Sequence, residues 1–427
     1  MPFREVGLDL KDKKNVGVGI DVTQKCQAQC PTCFYEEIRE GVNEISFDLF
    51  KKIVDEATNN NFQELYLLGG EPALHQEIFN FIDYAVAKDK FDPLILVTNG
   101  LKLADETFCQ EIAERGVFVA VQRHVIGDGN EEVKIQDQLM GIPNTLPKVN
   151  KAFENIEKYF DSSKVAVQCC ITRPVVESEQ LFKVFEYARE HGFEQVIECT
   201  KASENFPRGN HLDITLQELL TVYRKLQEID KAKYPHLAAK ILTPQAYGKV
   251  CHMPETGIHV LINGDVIPCV GQQYVLGNIM NGDKLFDILK SDQRKFFQFP
   301  EDRIEGHCSE CDYIVDCTGG CRGDAYYLTN CFNASAVQCP QLYEKAKKNP
   351  LEINDIIPKS CSGCAMENDN GCGITVVGGG KDKGAFNRDR TLIGNTRRYF
   401  GRELFEDYSS ISSRFIHEPK NIGFIKK

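Results

Sequence analysis

No apolar run in this chain of 427 residues approaches the roughly 20 consecutive apolar residues needed to cross a bilayer. The N-terminus, Met-Pro-Phe-Arg-Glu-Val-Gly, lacks the apolar core of an export signal. A membrane span and secretion are set aside on those grounds, and a cytoplasmic location is expected. Positive charge is also short: 50 basic side chains stand against 62 acidic ones, a net charge of −12. That deficit argues against nucleic acid as the main partner and leaves no polybasic anchor for anionic lipid. No internal repeat is visible, so a stacked-repeat architecture is set aside too.

What the chain has in quantity is cysteine, 18 residues. That is too many for an ordinary cytosolic enzyme and too few for a small disulfide scaffold. With no export signal, metal or cluster ligation explains the thiols better than disulfides do. Only Cys109, Cys169, Cys170 and Cys199 lie between Cys33 and Cys251, and they are expected to fill core positions as small hydrophobes. At 42% hydrophobic the chain can bury a sizeable core and plausibly holds two domains or more.

From Val16 to about Thr200 short apolar runs alternate with amphipathic segments. Strands are expected at Val16–Val22, Phe62–Leu68, Leu94–Val97, Val117–Val121, Val165–Ile171 and Gln195–Cys199. Helices are expected after Ser46, around Ile78 to Val86, and over Glu106–Arg115, Val149–Tyr159 and Glu179–His191. An irregular loop carries Gly127, Gly129, Gly141, Pro143 and Pro147. Strand–helix pairs of this length imply a parallel sheet with helices outside, either a partial barrel or an open doubly wound sheet. In both, active residues gather at the C-terminal ends of the strands. Cys26 to Cys33, Gly69 to Pro72, Thr98-Asn99, Gln122 and Arg173 all fall there, and His124 is a candidate acid/base.

Cys26, Cys30 and Cys33 stand at C-x3-C-x2-C spacing on the loop leaving the first strand. Three thiolates on one loop can hold three irons of a four-iron cluster and leave the fourth open to a small molecule. A structural zinc site would want a fourth ligand, and no His or further Cys stands nearby. Gly69-Gly70-Glu71-Pro72 follows the second strand, where two glycines let backbone approach a ligand closely.

This combination resembles the radical S-adenosylmethionine (radical SAM) superfamily. The resemblance implies a partial (β/α)6 barrel in which Cys26, Cys30 and Cys33 ligate a [4Fe-4S] cluster and SAM chelates the open iron. It further implies that Gly69 to Glu71 contact the SAM amino group and that Phe34 lies beside the adenine. Thr98, Asn99, Gln122 and Arg173 are candidate partners for ribose or carboxylate. Thr32 stands before the last thiol of the loop, where the family often carries an aromatic.

Beyond about residue 240 periodicity fades and thiols cluster, and such a region is held together by what its thiols bind. Cys251, Cys269, Cys308, Cys311, Cys317, Cys321 and Cys339 follow in an order similar to the SPASM extension of radical SAM enzymes. By that resemblance Cys308, Cys311, Cys317 and Cys339 bind an outer auxiliary [4Fe-4S] cluster. Cys251, Cys269 and Cys321 bind an inner one, completed by Cys331 or His252 or left open. Cys331 with Cys361, Cys364 and Cys372 could form a further cluster or a zinc knuckle. The expected organisation is an N-terminal extension over 1–15, the barrel over 16–240, the SPASM region over 241–345 and a Cys-containing extension over 346–427. The last 47 residues, 381–427, hold eleven Lys/Arg against six Asp/Glu and read as a docking or solvated tail.

The resemblance implies cleavage of SAM to a 5′-deoxyadenosyl radical and oxidative modification of a peptide or protein, by thioether or carbon–carbon linkage or epimerisation. A flavodoxin- or ferredoxin-like one-electron reductant is the implied partner. A porphyrin or lipid substrate is the alternative; a non-catalytic iron–sulfur carrier or zinc scaffold is the alternative of another class. Val270 follows Cys269 where sulfatase-maturing members place an Asp, so formylglycine formation is not expected. The barrel begins so near Met1 that an N-terminal peptide-recognition domain is not expected either.

Overall fold

Seven consecutive buried residues, Gly17–Thr23, form the first strand, β1, and the rest of the molecule is laid out from it. The computed structural model describes residues 16–33, 43–201, 206, 210–239, 257–271, 274–297, 304–317, 319–329, 332–336 and 339–348. Phe34, Cys251, His252, Cys331, Cys361, Cys364 and Cys372 lie outside the described residues, as do 1–15, the expected boundary at 240 and everything beyond 348.

After β1 come helix α1 (Phe47–Asn59), β2 (Glu64–Gly69), α2 (Ile78–Val86), β3 (Leu94–Thr98), α3 (Glu106–Glu114) and β4 (Phe118–Gln122). Two helices, α4 (Asn130–Met140) and α5 (Leu146–Tyr159), lead to β5 (Val165–Ile171). Short α6 (Arg173–Glu177) and α7 (Gln180–Glu190) lead to β6 (Glu194–Cys199), and α8 (Leu216–Lys233) closes the unit. The strands pair in parallel in chain order, from β1 through β6, with no reversal. Sequential winding of this kind is that of a partial (β/α)6 barrel and excludes the doubly wound alternative, whose strand order must reverse.

Side chains alternate across the sheet with period two. Val18, Ile20 and Val22 of β1 join Leu65, Leu67, Leu94, Leu96, Val119, Val165 and Val167 under the helices. The opposite face carries Ile95, Phe118, Ala120, Ala166 and Val196, flanked by Tyr66 and Val97, as a separate apolar plug inside the barrel. The helices present one apolar stripe each. In α1 that stripe is Leu49, Phe50, Ile53, Val54 and Ala57, and the Ser46 hydroxyl caps it by accepting from the Leu49 N–H. Each of the larger side chains of that stripe, fully buried, contributes about 1.5–3 kcal/mol.

Helix α4 corrects the sequence-based expectation of an irregular loop. Gly129 precedes its first turn and Gly141, at φ +68°, ends it; between them Ile135, Leu139 and Met140 are buried. Two glycines twelve residues apart therefore bracket a helix of eleven, as an N-cap and a left-handed C-cap do.

Past the described gap the chain returns to the same sheet. Strand β7 (Gly257–Val260) lies parallel to β1, and β8 (Asp265–Ile267) and β9 (Gly277–Asn278) follow antiparallel. Short helices α9 (Leu285–Lys290), α10 (Asp292–Phe297), α11 (Ile314–Cys317), α12 (Arg322–Thr329) and α13 (Pro340–Lys348) make up the remainder. Helix α1 reaches across to this part: Lys52 Nζ donates to the Ile279 carbonyl at 2.7 Å, and Glu56 accepts from the Leu285 N–H at 2.8 Å. Among the described residues no helix is long and apolar enough to cross a membrane.

Candidate functional site

The loop from Gln24 to Cys33 leaves β1 at the C-terminal rim of the barrel and forms one wall of a cavity of about 570 Å³. Cys26, Cys30 and Cys33 all line it, with Gln24, Lys25, Gln27, Ala28, Gln29 and Thr32. Gly69, Gly70, Thr98 and Asn99 form the facing wall, and Gln122, Gln168 and Cys170 come from later strand ends. Val97, part of the apolar plug, also lines the cavity, so the barrel is packed shut beneath it.

The glycines are there because backbone meets backbone. A Cβ on Gly69, whose φ is +123°, would stand 2.3 Å from the Thr23 carbonyl oxygen, and one on Gly70 would stand 2.3 Å from that of Lys25. The Gly70 N–H donates to the Thr23 carbonyl and the Glu71 N–H to that of Lys25, both at 2.7 Å. Any side chain would push the thiol loop off the strand end.

Glu71 does a different job from the one its motif suggested. Its carboxylate is fully buried and lies outside the cavity lining. Oε1 accepts from the Thr98 hydroxyl at 2.7 Å and the Ala73 N–H at 3.1 Å, and Oε2 accepts from the Asn99 N–H at 2.7 Å. Burial pushes its pKa up to about 7, against the pull of those three donors. Glu71 thus locks the end of β3 to the end of β2 and sets Asn99. Pro72 begins the short turn after it and is also outside the lining. Asn99 then reaches the thiol loop twice: Oδ1 accepts from Gln27 Nε2 at 3.3 Å, and Nδ2 donates to Cys26 Sγ at 3.9 Å.

Two other expectations are corrected. The Arg173 guanidinium is spent on Glu218 at 2.8 Å, Glu177 at 3.4 Å and the Asp213 carbonyl at 2.9 Å, tying α6 to the start of α8. It does not line the cavity. His124 lies one turn of chain beyond the β4 end but points into the core, 1% exposed, and burial lowers its pKa to about 4. A neutral imidazole sealed from the cavity is no acid/base for chemistry there.

Sequence reasoning missed Gln168 and Cys170 as site residues. Cys170 was expected in the core with Cys169; the two are neighbours on a strand and so face opposite ways. Cys169 enters the outer core, whereas Cys170 lines the cavity, with its thiol pushed up to about 12 by burial. Gln168 pairs in register with Gln122 across β4 and β5, putting two amides side by side at the rim. The inward period of β5 was the available signal. Cys109 is a buried core residue as expected, and Cys199 contacts the Tyr223 hydroxyl at 3.1 Å.

In the C-terminal part Cys308, Cys317 and Cys339 are buried, and Cys308 is near enough to Cys317 and Cys339 for its thiolate to raise the pKa of both. Burial is the larger cause for Cys317, pushed up to about 11. Cys311 ends the same short turn as Cys308 and is half-buried. Cys308 Sγ accepts from the Ala336 N–H at 3.3 Å, and Cys321 Sγ accepts from the Asp324 N–H at 3.4 Å. Backbone donors aimed at sulfur are what an iron–sulfur site uses to tune its charge. Cys269 and Cys321 are both half-buried. Among the described residues every cysteine is free of disulfides, and no three Cys, His, Asp or Glu side chains converge tightly enough to hold a single metal ion. A zinc would need sulfurs about 2.3 Å from one point, whereas a four-iron cube sets its ligands wider apart. The first loop brings three thiols to a ligand-sized cavity, as a cluster with an open iron requires.

Comparison with known proteins agrees with this geometry. The model for the radical SAM superfamily matches residues 20–201, and the SPASM model, an iron–sulfur cluster-binding domain, matches residues 251–312. A tungsten-containing aldehyde ferredoxin oxidoreductase cofactor-modifying protein of Pyrococcus furiosus is 23% identical over 75% of this chain and 96% of its own. Mycofactocin maturase MftC of Mycolicibacterium smegmatis is 23% identical over 72% of this chain and 78% of its own. The solved structure of Streptococcus suis SuiB bound to precursor peptide SuiA superposes with a TM-score of 0.55 at 18% identity, covering 74% of each chain. The chain is a member of the radical SAM superfamily whose barrel is followed by a SPASM iron–sulfur cluster-binding domain.

Proposed function

We propose that this enzyme binds its SAM-chelating [4Fe-4S] cluster through Cys26, Cys30 and Cys33 and oxidatively modifies a peptide or protein side chain. The observation that carries the reading is the convergence of those three thiols with Gly69, Gly70, Thr98 and Asn99 on one cavity. When bound, cluster and SAM supply a 5′-deoxyadenosyl radical that takes a hydrogen atom from the substrate. The protein's own part is positional. Gly69 and Gly70 leave their backbone groups open to the SAM methionine end, Asn99 braces Cys26, and the plug beneath Val97 closes the barrel to solvent from below. Gln122, Gln168 and Cys170 would then face the substrate side, and Phe34 the adenine.

The auxiliary assignment is Cys308, Cys311, Cys317 and Cys339 for the outer cluster and Cys251, Cys269 and Cys321 for the inner, within a domain spanning about 241–345. Cys331, Cys361, Cys364 and Cys372 are assigned to one further cluster or zinc. These clusters would carry away the electron left by a net oxidation, and a flavodoxin- or ferredoxin-like protein in the cytoplasm would supply the first. Support for a peptide substrate comes from the relatives: one is a maturase and the solved neighbour holds a precursor peptide. The Pyrococcus furiosus relative, described as modifying a cofactor, favours the second reading, a non-peptide substrate.

The test is anaerobic reconstitution followed by iron counting and incubation with dithionite and SAM. The expected result is about twelve irons, or about sixteen with the tail thiols filled, and formation of 5′-deoxyadenosine. Absence of deoxyadenosine, or its formation by the variant with Cys26, Cys30 and Cys33 all replaced by Ala, overturns the reading. Mass change in a peptide encoded beside the gene, against none in a small cofactor, separates the two substrate classes.

A further inference from the structure

The thiol loop is gripped from two sides, and only one of them is the Gly69-Gly70 strand end. On the other side stands the C-terminus of α4, more than a hundred residues away in sequence. The Gln29 N–H donates to the Met140 carbonyl at 2.8 Å, and Cys30 Sγ lies 3.8 Å from the same oxygen. Gly141 then turns the chain away at φ +68°, and a Cβ there would stand 2.0 Å from the Gln29 carbonyl oxygen and 2.5 Å from its carbon. Heavy atoms of two backbones cannot yield as a flexible side chain can. Of the glycines with positive φ, Gly192 has almost the same conformation, φ +67°, but its Cβ would meet only Ser162 Oγ at 3.4 Å, an ordinary contact.

We propose that Met140 and Gly141 are positioning residues for the first cluster: the Met140 carbonyl at the C-terminus of α4 and the missing side chain beside it seat the Cys30 limb of the loop. The proposal rests on the reading that Cys26, Cys30 and Cys33 hold that cluster. Gly69 and Gly70 fix the stretch from Thr23 to Lys25, just before Cys26, while the Gln29 N–H is anchored on the Met140 carbonyl of α4 with Cys30 Sγ against the same oxygen. That anchor helps set the separation of Cys30 from Cys26, and three sulfurs must be held to within fractions of an ångström to bind one cluster. Helix α4 is therefore part of the cluster site although none of its side chains has been assigned a ligand.

The test compares wild type, Gly141→Ala, Gly192→Ala and Gln29→Pro, the last removing the loop's N–H donor while leaving α4 intact. Each is reconstituted anaerobically, assayed for iron and sulfide, reduced, and examined by electron paramagnetic resonance with and without SAM. A wild type that lacks a SAM-shifted signal means that the cluster reading itself has failed, and the clamp with it. Given that signal, Gly141→Ala and Gln29→Pro should each lose about four irons and the SAM-shifted component while keeping the auxiliary signals. Gly192→Ala, which carries the same backbone strain without the collision, should keep both. Full iron and a normal SAM shift in Gly141→Ala overturn the proposal, as does equal loss in Gly192→Ala. If Gly141→Ala does not fold, Gln29→Pro decides, and retention of the SAM-shifted signal there overturns it.

Discussion

The His124 side chain is buried, and both its ring nitrogens lack a hydrogen-bond partner. Burial alone lowers its pKa from 6.5 to about 4. The folded protein therefore binds fewer protons than the unfolded chain between those values, so the histidine's contribution is complete above the unfolded pKa and lost as pH falls toward the folded one. A shift of this size is worth about 3 kcal/mol. His124→Leu should remove that acid sensitivity: the stability lost between about pH 7 and about pH 4, read from urea unfolding, should be smaller than in wild type by about 3 kcal/mol. Deoxyadenosine formation should be unchanged, and its abolition would return His124 to the chemistry. At this scale identity and strand-end position were legible in the sequence, but direction was not. Glu71 and Cys170 make the same point in opposite senses, one turned out of the cavity and the other into it.

Elements depend on contacts that no local pattern announces. Helices α7 and α8 are joined by Arg189 and Asp230, whose side chains are 3% and 0% exposed and meet at 2.8 Å. Arg189 also lies over the Phe185 ring, 4.7 Å from its centroid. Removing one partner of such a pair strands a buried charge, which costs about 3–5 kcal/mol. Arg189→Met should lose that much stability in urea unfolding, and adding Asp230→Leu should restore most of it; equal stability of the two variants would contradict the pairing argument. All six barrel strands were placed within two residues of their sequence-based bounds at both ends because parallel, doubly buried strands read as plain apolar runs. Helix α4 escaped because its turns carry Glu131, Glu132, Lys134 and Asp137 and bury only a short stripe, so glycine at each end outweighed a weak period.

Among the described residues β1 joins the barrel to the C-terminal strands. It is the central partner of β2 and β7, so one strand carries both the loop to Cys26 and the attachment of the SPASM part. Gly19 sits opposite His259, and a Cβ there would stand 2.4 Å from His259 Nδ1. The other ring nitrogen of His259 meets Asp21 Oδ1 at 2.8 Å, both side chains being buried. Gly19→Ala should cost about 1–3 kcal/mol by overpacking. Combined with His259→Ala, the loss should be smaller than the sum of the two single losses, a coupling of about 0.5–3 kcal/mol measurable by a double-mutant cycle. Strict additivity would mean that the two parts do not meet at this point.

The sequence by itself determined the strand–helix alternation, the three-thiol loop, the glycine motif and the order of the auxiliary thiols, while the strand order in the structure chose the partial barrel over a doubly wound sheet. Period, spacing and strand-end position are local properties, and parallel winding brings every strand's C-terminal end to one rim. Only the tertiary structure decided which way each rim side chain turns. Burial took Glu71 and His124 out of the cavity, ion pairs with Glu218 and Glu177 took Arg173 out of it, and inward alternation put Gln168 and Cys170 into it. It also decided what holds the thiol loop from behind, since a backbone contact between Gln29 and Met140 leaves no signature in residue type beyond a single glycine.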